Sequence, residues 1–146
     1  MTAAVNHSFT PVYLSVGLRL ALRNSNCHLR ARAERCGSAM IVYAGGEVDA
    51  SNAEIWQRLL REAAEATASP GPLVIDVSGL DFMGCCGYSS VAEEVRRCSR
   101  LGLAVRLVSD APTVAKVVAA CGLTELMPIY PDVDAALGRH RHACEG

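Results

Sequence analysis

An α/β layer fold with a mixed, mostly parallel sheet is predicted by two features of this 146-residue sequence. From Ala39 onward, β-branched apolar runs alternate with amphipathic helical segments, a pattern that implies right-handed strand-helix-strand crossovers rather than a chain of hairpins. Two of the runs, Met40-Ile41-Val42-Tyr43 and Leu73-Val74-Ile75-Asp76-Val77, are almost continuously apolar, as strands covered on both faces are. The length suits one domain with a core of its own. A sheet of four to five strands with about four helices is expected.

Residues 1–10 are small and polar without a period and read as a tail. Between Tyr13 and Leu22 the apolar residues Leu14, Val16, Leu18, Leu20 and Leu22 fall on every second position, which predicts a strand or an extended arm along an edge. Asn24, Ser25 and Asn26 break it. Cys27 to Arg35 alternates around Leu29, Ala31 and Ala33 and reads as a strand with a basic outer face, closed by a turn at Cys36-Gly37-Ser38. The run Ala39 to Ala44 is the next strand, and Gly45-Gly46 is expected to end it.

Ser51 with Glu54 three residues on has the form of a capping box, and Ile55, Trp56, Leu59, Leu60, Ala63 and Ala64 then form one helical stripe. Trp56 belongs to that stripe and is expected in the core. Ser69-Pro70-Gly71-Pro72 stops the helix. After the strand Leu73 to Val77, a helix beginning near Gly87 carries Val91, Ala92, Val95 and Cys98 inward, with Glu93 and Arg97 as a surface i,i+4 pair and Gly102 at its end. Leu103 to Val108 is a further strand, and Ser109-Asp110 with Pro112 opens a helix whose stripe is Val114, Val117, Val118 and Cys121. Met127 to Tyr130 is a short strand and Asp132 to Leu137 a last helical turn. The organisation expected is an N-terminal extension over 1–25, a domain over 26–139 and a polar tail over 140–146.

A formal net charge of −1 leaves no basic footprint for nucleic acid or an acidic membrane, and Arg30, Arg32 and Arg35 read as a solvated strand face. No run of eighteen apolar residues and no secretory leader pattern occurs, so a cytoplasmic protein is expected. Seven irregularly spaced cysteines fit a reducing compartment rather than a disulfide framework. There is no C-x-x-C pair, and His140 and His142 have only Cys144 near them, so neither a metal nor a cofactor is expected.

The chemistry concentrates in Asp81-Phe82-Met83-Gly84-Cys85-Cys86-Gly87, where a strand hands over to a helix. Such a junction presents free N–H groups and the positive end of the helix dipole, and it favours anions, thiolates and added negative charge. An enzyme using Cys85 or Cys86 as nucleophile would need an activating His/Asp pair, but all four histidines lie outside the α/β segment.

Gly46-Glu47-Val48-Asp49 before the first core helix, Leu73 to Ser78, Phe82-Met83 before the cysteine turn, and Cys121-Gly122-Leu123 occur in an order and context that resemble STAS domains of the bacterial anti-sigma factor antagonist type. The resemblance runs from about Leu29 to Leu137. It implies a small cytoplasmic switch that binds a GHKL-type, kinase-like anti-sigma factor and so frees a sigma subunit for transcription, with no direct contact to nucleic acid or membrane. In that family the turn usually reads Asp-Ser-Ser/Thr-Gly, and its first Ser is phosphorylated by the anti-sigma factor. Here the acidic position is Gly84 and the hydroxyl position is Cys85. A phosphate at that place adds nearly two charges and three acceptor oxygens, which expels the partner; Cys85 would gain charge instead by oxidation.

Two readings stay open: a redox switch in place of phosphorylation, or Cys85 and Cys86 as small turn residues with binding permanently on. Ser89 and Ser90 offer displaced hydroxyls, expected in the first helical turn. The resemblance places the partner on Asp49, Ser51 and Asn52, on Met83, Gly84, Cys86, Gly87 and Tyr88 around Cys85, and on Ser109 and Asp110 at the rim. Cys98 and Cys121 are expected in the core, with Cys121 at the far end of a helix leading away from Cys85. The alternative function is a generic STAS interaction module of a transporter-associated or stress-signalling complex.

Overall fold

The computed structural model of the chain describes residues 8–24 and 26–138. Residues 1–7, Ser25 and the expected polar tail with His140, His142 and Cys144 lie outside the described residues. The element order is β1 (Thr10–Val12), α1 (Val16–Arg23), β2 (Leu29–Cys36), β3 (Ala39–Val48), α2 (Ala53–Glu65), β4 (Leu73–Met83), α3 (Cys85–Arg100), β5 (Val105–Val108), α4 (Pro112–Ala120), β6 (Ile129–Tyr130) and α5 (Val133–Ala136). The strands form one sheet in sequence order. β1, β2 and β3 pair antiparallel, and β3 to β6 pair parallel. The fold class is thus the expected mixed α/β one, with a small strand and a small helix beyond the number read from the sequence.

Both faces of the central strands are covered, which accounts for their continuous apolar character. On one face Trp56, Leu59, Leu60, Val91, Val95 and Cys98 pack against Met40, Val42, Leu73, Ile75 and Leu107. On the other, a smaller cluster joins Ile41, Val74 and Val108 to Ala136 of α5.

Three local expectations are corrected. The segment 13–22 is not a strand but mostly α1. Leu14 and Leu18 are buried and Leu22 packs on the core, whereas Val16 and Leu20 are 61% and 63% exposed. Only every fourth residue of the alternating set faces inward, so a helical period fits it. Ser15 caps the helix, its Oγ accepting from the Leu18 N–H at 3.3 Å, and a helix is thereby favoured locally.

Gly45-Gly46 does not end β3, which continues to Val48. Gly46 has φ +89°, and a Cβ there would run into the His28 carbonyl oxygen. Glycine here lets the strand bulge and go on, with register shifts against β4 on either side of Gly45-Gly46. β4 likewise runs beyond Val77 to Met83, pairing Phe82 with Glu47 and Met83 with Val48. The extended pair carries the cysteine turn beyond the body of the sheet.

The surface pair Glu93 with Arg97 is replaced by a buried one. Glu94, with its side chain 5% exposed, accepts from Arg97 at 2.9 Å and from Arg61 of α2 at 3.0 Å, while Glu93 accepts from Gln57. The i,i+3 spacing turns Arg97 toward the α2–α3 seam, so the carboxylate that matters is the inward one.

Candidate functional site

α3 starts two residues earlier than its apolar stripe suggests, with Gly84 as its extended N-terminal cap and Cys85 as its first residue. The Gly84 N–H donates to the Val48 carbonyl at 2.9 Å, and the Gly84 carbonyl accepts from the Gly87 N–H at 2.9 Å. Gly84 has no side chain to cap the helix, so the first N–H groups of α3 lack the side-chain acceptor that an acidic or hydroxyl cap supplies. Cys85 is exposed and Cys86 half-buried.

Gly87 is where the turn meets the core. A Cβ there would lie 2.5 Å from Met83 Cγ and 2.9 Å from Val48 Cγ1, so only glycine lets α3 sit this close to the strand ends. From below, the buried Trp56 donates its indole N–H to the Gly87 carbonyl at 3.1 Å. Trp56 is therefore core, as expected from its stripe, and it also ties α2 to the first turn of α3. Ser89 and Ser90 are the fifth and sixth residues of α3, one turn further on than expected.

The 49–52 loop is stiff for a different reason than a capping box. Asp49 accepts from both the Ser51 N–H, at 2.9 Å, and the Ser51 hydroxyl. Asn52, only 2% exposed, accepts from the Asp49 N–H at 3.0 Å and donates to the Glu47 carbonyl at 2.9 Å. Asn52, not Ser51, holds the N-cap position of α2, and its side chain closes the loop rather than the helix. Hydrogen bonding from the Ser51 hydroxyl, then from its N–H, holds the Asp49 carboxyl below the ordinary carboxylate range. On the other flank, the Ser109 Oγ accepts from the Ala111 N–H at 3.1 Å ahead of α4, and Asp110 is exposed.

A cleft of about 700 Å³ opens between the end of β4, the start of α3, the Ser109-Asp110 segment and α4. Of the expected site residues it gathers Met83, Gly84, Cys85, Tyr88, Ser109 and Asp110, along with Ser89. It leaves Asp49, Ser51, Asn52, Cys86 and Gly87 out of its lining. The crevice lies at the carboxyl ends of parallel strands, the usual position for a site in α/β sheets.

Residues not assigned to the site from the sequence include Leu80, Phe82, Val114, Val117 and Cys121, all lining this cleft. Phe82 is 54% exposed, an aromatic ring offered at the rim. Cys121 is half-buried rather than fully core; it stands at the C-terminal cap of α4, the far end of that helix as expected, and lines the same cleft as Cys85. It neighbours Tyr88, whose hydroxyl is pushed up first by burial and second by Cys121. A signal was present: Val114, Val117 and Cys121 fall on one side of the α4 stripe, and only Val118 turns fully into the core. Among the described residues no cluster of three His, Cys, Asp or Glu could hold a metal ion, and no helix is long and apolar enough to cross a membrane.

The model of the STAS domain family matches residues 15–136. A Mycobacterium tuberculosis protein provisionally named anti-anti-sigma factor Rv2638 is 45% identical over 130 residues, 89% of this chain and 88% of the relative. Another from the same species, the anti-sigma-F factor antagonist RsfA, is 46% identical over 109 residues, 75% of this chain and 85% of the relative. The crystal structure of an anti-sigma factor antagonist from Mycobacterium paratuberculosis superposes with a TM-score of 0.65 at 24% identity, covering 75% of this chain and 92% of that one. At that identity the superposition speaks for the fold alone.

Proposed function

Because this chain belongs to the STAS domain family, we propose that it acts as an anti-sigma factor antagonist in the cytoplasm, binding an anti-sigma factor and so freeing a sigma factor for transcription. The observation that carries this reading is the 45% identity, over 89% of the chain, to a relative named for that role. The geometry supports it with a rigid, exposed platform: the first turn of α3 held by Val48 and Trp56, the stiff 49–52 loop beside it and Asp110 across the cleft. The chain binds rather than catalyses, and its partner is a GHKL-type, kinase-like anti-sigma factor. Asp49, Ser51, Asn52, Met83, Gly84, Cys86, Gly87, Tyr88, Ser109 and Asp110 form the surface it meets.

Cys85 stands at the control point. A thiol cannot accept phosphate there as the family's serine does, so charge arrives by oxidation. The Cys85 sulfur attacks hydrogen peroxide, the O–O bond breaks, hydroxide leaves, and a sulfenic acid forms; a second peroxide carries it to the sulfinate anion. That anion sits against the uncapped N–H groups of α3, where a phosphate would sit in a phosphorylated relative, and it expels the partner by charge and lost fit.

The test is a pull-down of the tagged chain from its own cytosol with ATP, once in reducing buffer and once after mild peroxide, read by mass spectrometry. Recovery of a kinase-like anti-sigma factor with no phosphate on the chain, Ser89 and Ser90 included, is the expected result. Loss of that partner on oxidation, with retention by the Cys85→Ala variant, which has neither thiol nor hydroxyl, establishes the thiol switch; retention by both leaves an antagonist that is permanently on and ends the redox reading. Recovery of membrane transport subunits in its place overturns the sigma-factor role.

A further inference from the structure

A second surface lies at the opposite edge of the sheet. β1 pairs only with residues 33–35 of β2, so the stretch Leu29 to Arg32 has no strand partner on its outer side among the described residues. A groove of about 490 Å³ runs along this free edge, with Val12, Leu14, Leu22 and Ala31 among its apolar lining. Arg19 and Arg23 of α1 and Arg30 and Arg32 of β2 flank it, against one carboxylate, Glu34.

Glu34 is already engaged. It accepts from Arg32 at 2.8 Å and from the Tyr43 hydroxyl at 3.1 Å, and Arg32 lies over the Tyr43 ring at 3.9 Å. Arg19, Arg23 and Arg30 have no ion pair among the described residues. Three uncompensated guanidinium groups in one groove are a marked segregation in a chain of net charge −1.

Their placement has a period. Leu29, Ala31 and Ala33 face the core under α1, so Arg30 and Arg32 project from the other face, opposite Gly45 and Tyr43. Arg19 and Arg23 of α1 thus lie on one face beside the open edge, while on the other face the Arg30 head leans back over Gly45 and the Arg32 head over Tyr43 of β3. A strand added there would place successive side chains alternately beside each set, and Arg30 and Arg32 are one strand repeat apart, about 7 Å.

We propose that this edge groove docks an extended acidic segment of a partner protein, which adds to β2 as a strand, its backbone hydrogen-bonded to the outward groups of Leu29 and Ala31 and its carboxylates shared among Arg19, Arg23 and Arg30. The surface is separate from the Cys85 cleft and does not depend on the role assigned to that cleft. A nucleic acid strand would use the charge but not the open backbone edge or the apolar lining.

The probe is a fluorescein-labelled peptide, Val-Glu-Glu-Val-Glu-Glu-Val-Glu, read by anisotropy on the full chain at low salt. Three controls go with it: the same peptide with Gln for Glu, one of equal charge with Pro for the inner Val, and a labelled oligothymidylate of similar length. The expected result is binding of the Glu peptide at least tenfold tighter than any control, and at least tenfold weaker on the R19E/R23E/R30E variant. Arg32 is left in place because it stacks on Tyr43, and unchanged Trp56 fluorescence verifies that the variant is folded. The Cys85→Ser variant should bind the peptide as the wild type does. Equal binding of the Pro peptide reduces the groove to unspecific charge attraction, tighter binding of the oligothymidylate makes it a nucleic acid surface, and absence of Glu-peptide binding removes the proposal.

Discussion

The two ends of α3 carry the same chemical group in opposite settings. Cys85 opens the helix exposed to solvent, with no side-chain cap and glycines on either side of the cysteine pair. Cys98, near the other end, is fully buried. Its thiol is pushed up by burial first and by the neighbouring Glu94 second, and Glu94 is itself pinned between Arg61 and Arg97. One end is thus built to be reached and the other to hold α3 against α2. The difference teaches that one helix serves two ends: an open first turn tied to Val48 and Trp56, and a buried seam tied to α2 through Glu94.

The sharpest way to break this comparison is to unlock the buried end. Replacing both Arg61 and Arg97 with Ala leaves the buried Glu94 without a charged partner, and stability should fall by about 3 kcal/mol in urea unfolding, the lower part of the range for a broken buried pair because the arginines are partly solvated. If the variant loses less than about 1 kcal/mol, the seam is not what holds α3. A smaller effect separates the two thiols. Cys98→Ala leaves a small cavity in the buried seam and should cost about 2 kcal/mol, whereas Cys85→Ser should stay within about 0.5 kcal/mol. In the folded wild type, a thiol reagent at pH 8 should label Cys85 and leave Cys98 untouched, as peptide mapping would show.

The open end can also be sharpened. Gly84→Asp gives α3 an acceptor and a negative charge at its cap, and about 0.5 kcal/mol should be gained. The same charge set beside Cys85 should slow its reaction with an anionic disulfide reagent, and a faster reaction would contradict the electrostatic reading. The gentlest effect belongs to the 49–52 loop. The folded Asp49 carboxyl titrates below its unfolded counterpart, so its contribution is fully present above about pH 4. That contribution is lost as pH falls through the lowered folded value. Protection of the Ser51 amide, taken against its intrinsic exchange rate at each pH, should therefore hold from neutrality to about pH 4 and fall below it, with Asp49→Asn removing the transition.

The site was legible in the sequence to the extent that it depends on local chemistry. Cys85 and Cys86 at a strand-to-helix junction follow from residue types in order, and the flanking Asp49 to Asn52 segment from the resemblance to STAS domains. What was misread depends on which side of an element faces what. The alternation in 13–22 suits a strand and a four-residue helical repeat equally until Ser15 caps it and Leu14, Leu18 and Leu22 find the core. Ser51 and Glu54 had the form of a capping box, but Asp49 and Asn52 took the hydrogen bonds in which it would have shared. Cys121 looked like core because its stripe is apolar, yet one side of α4 lines a cleft.

By itself the sequence determined the α/β alternation, the central strands and the cysteine turn, since these rest on periodicity, chain punctuation and residue chemistry within a few neighbours. Only the tertiary structure decided that β3 and β4 run on past their glycines, that Glu94 rather than Glu93 meets Arg97, that Cys121 joins Cys85 at one cleft, and that four arginines from α1 and β2 flank a free sheet edge. Each of those depends on contacts between segments distant in the chain, where burial and close packing override local preference.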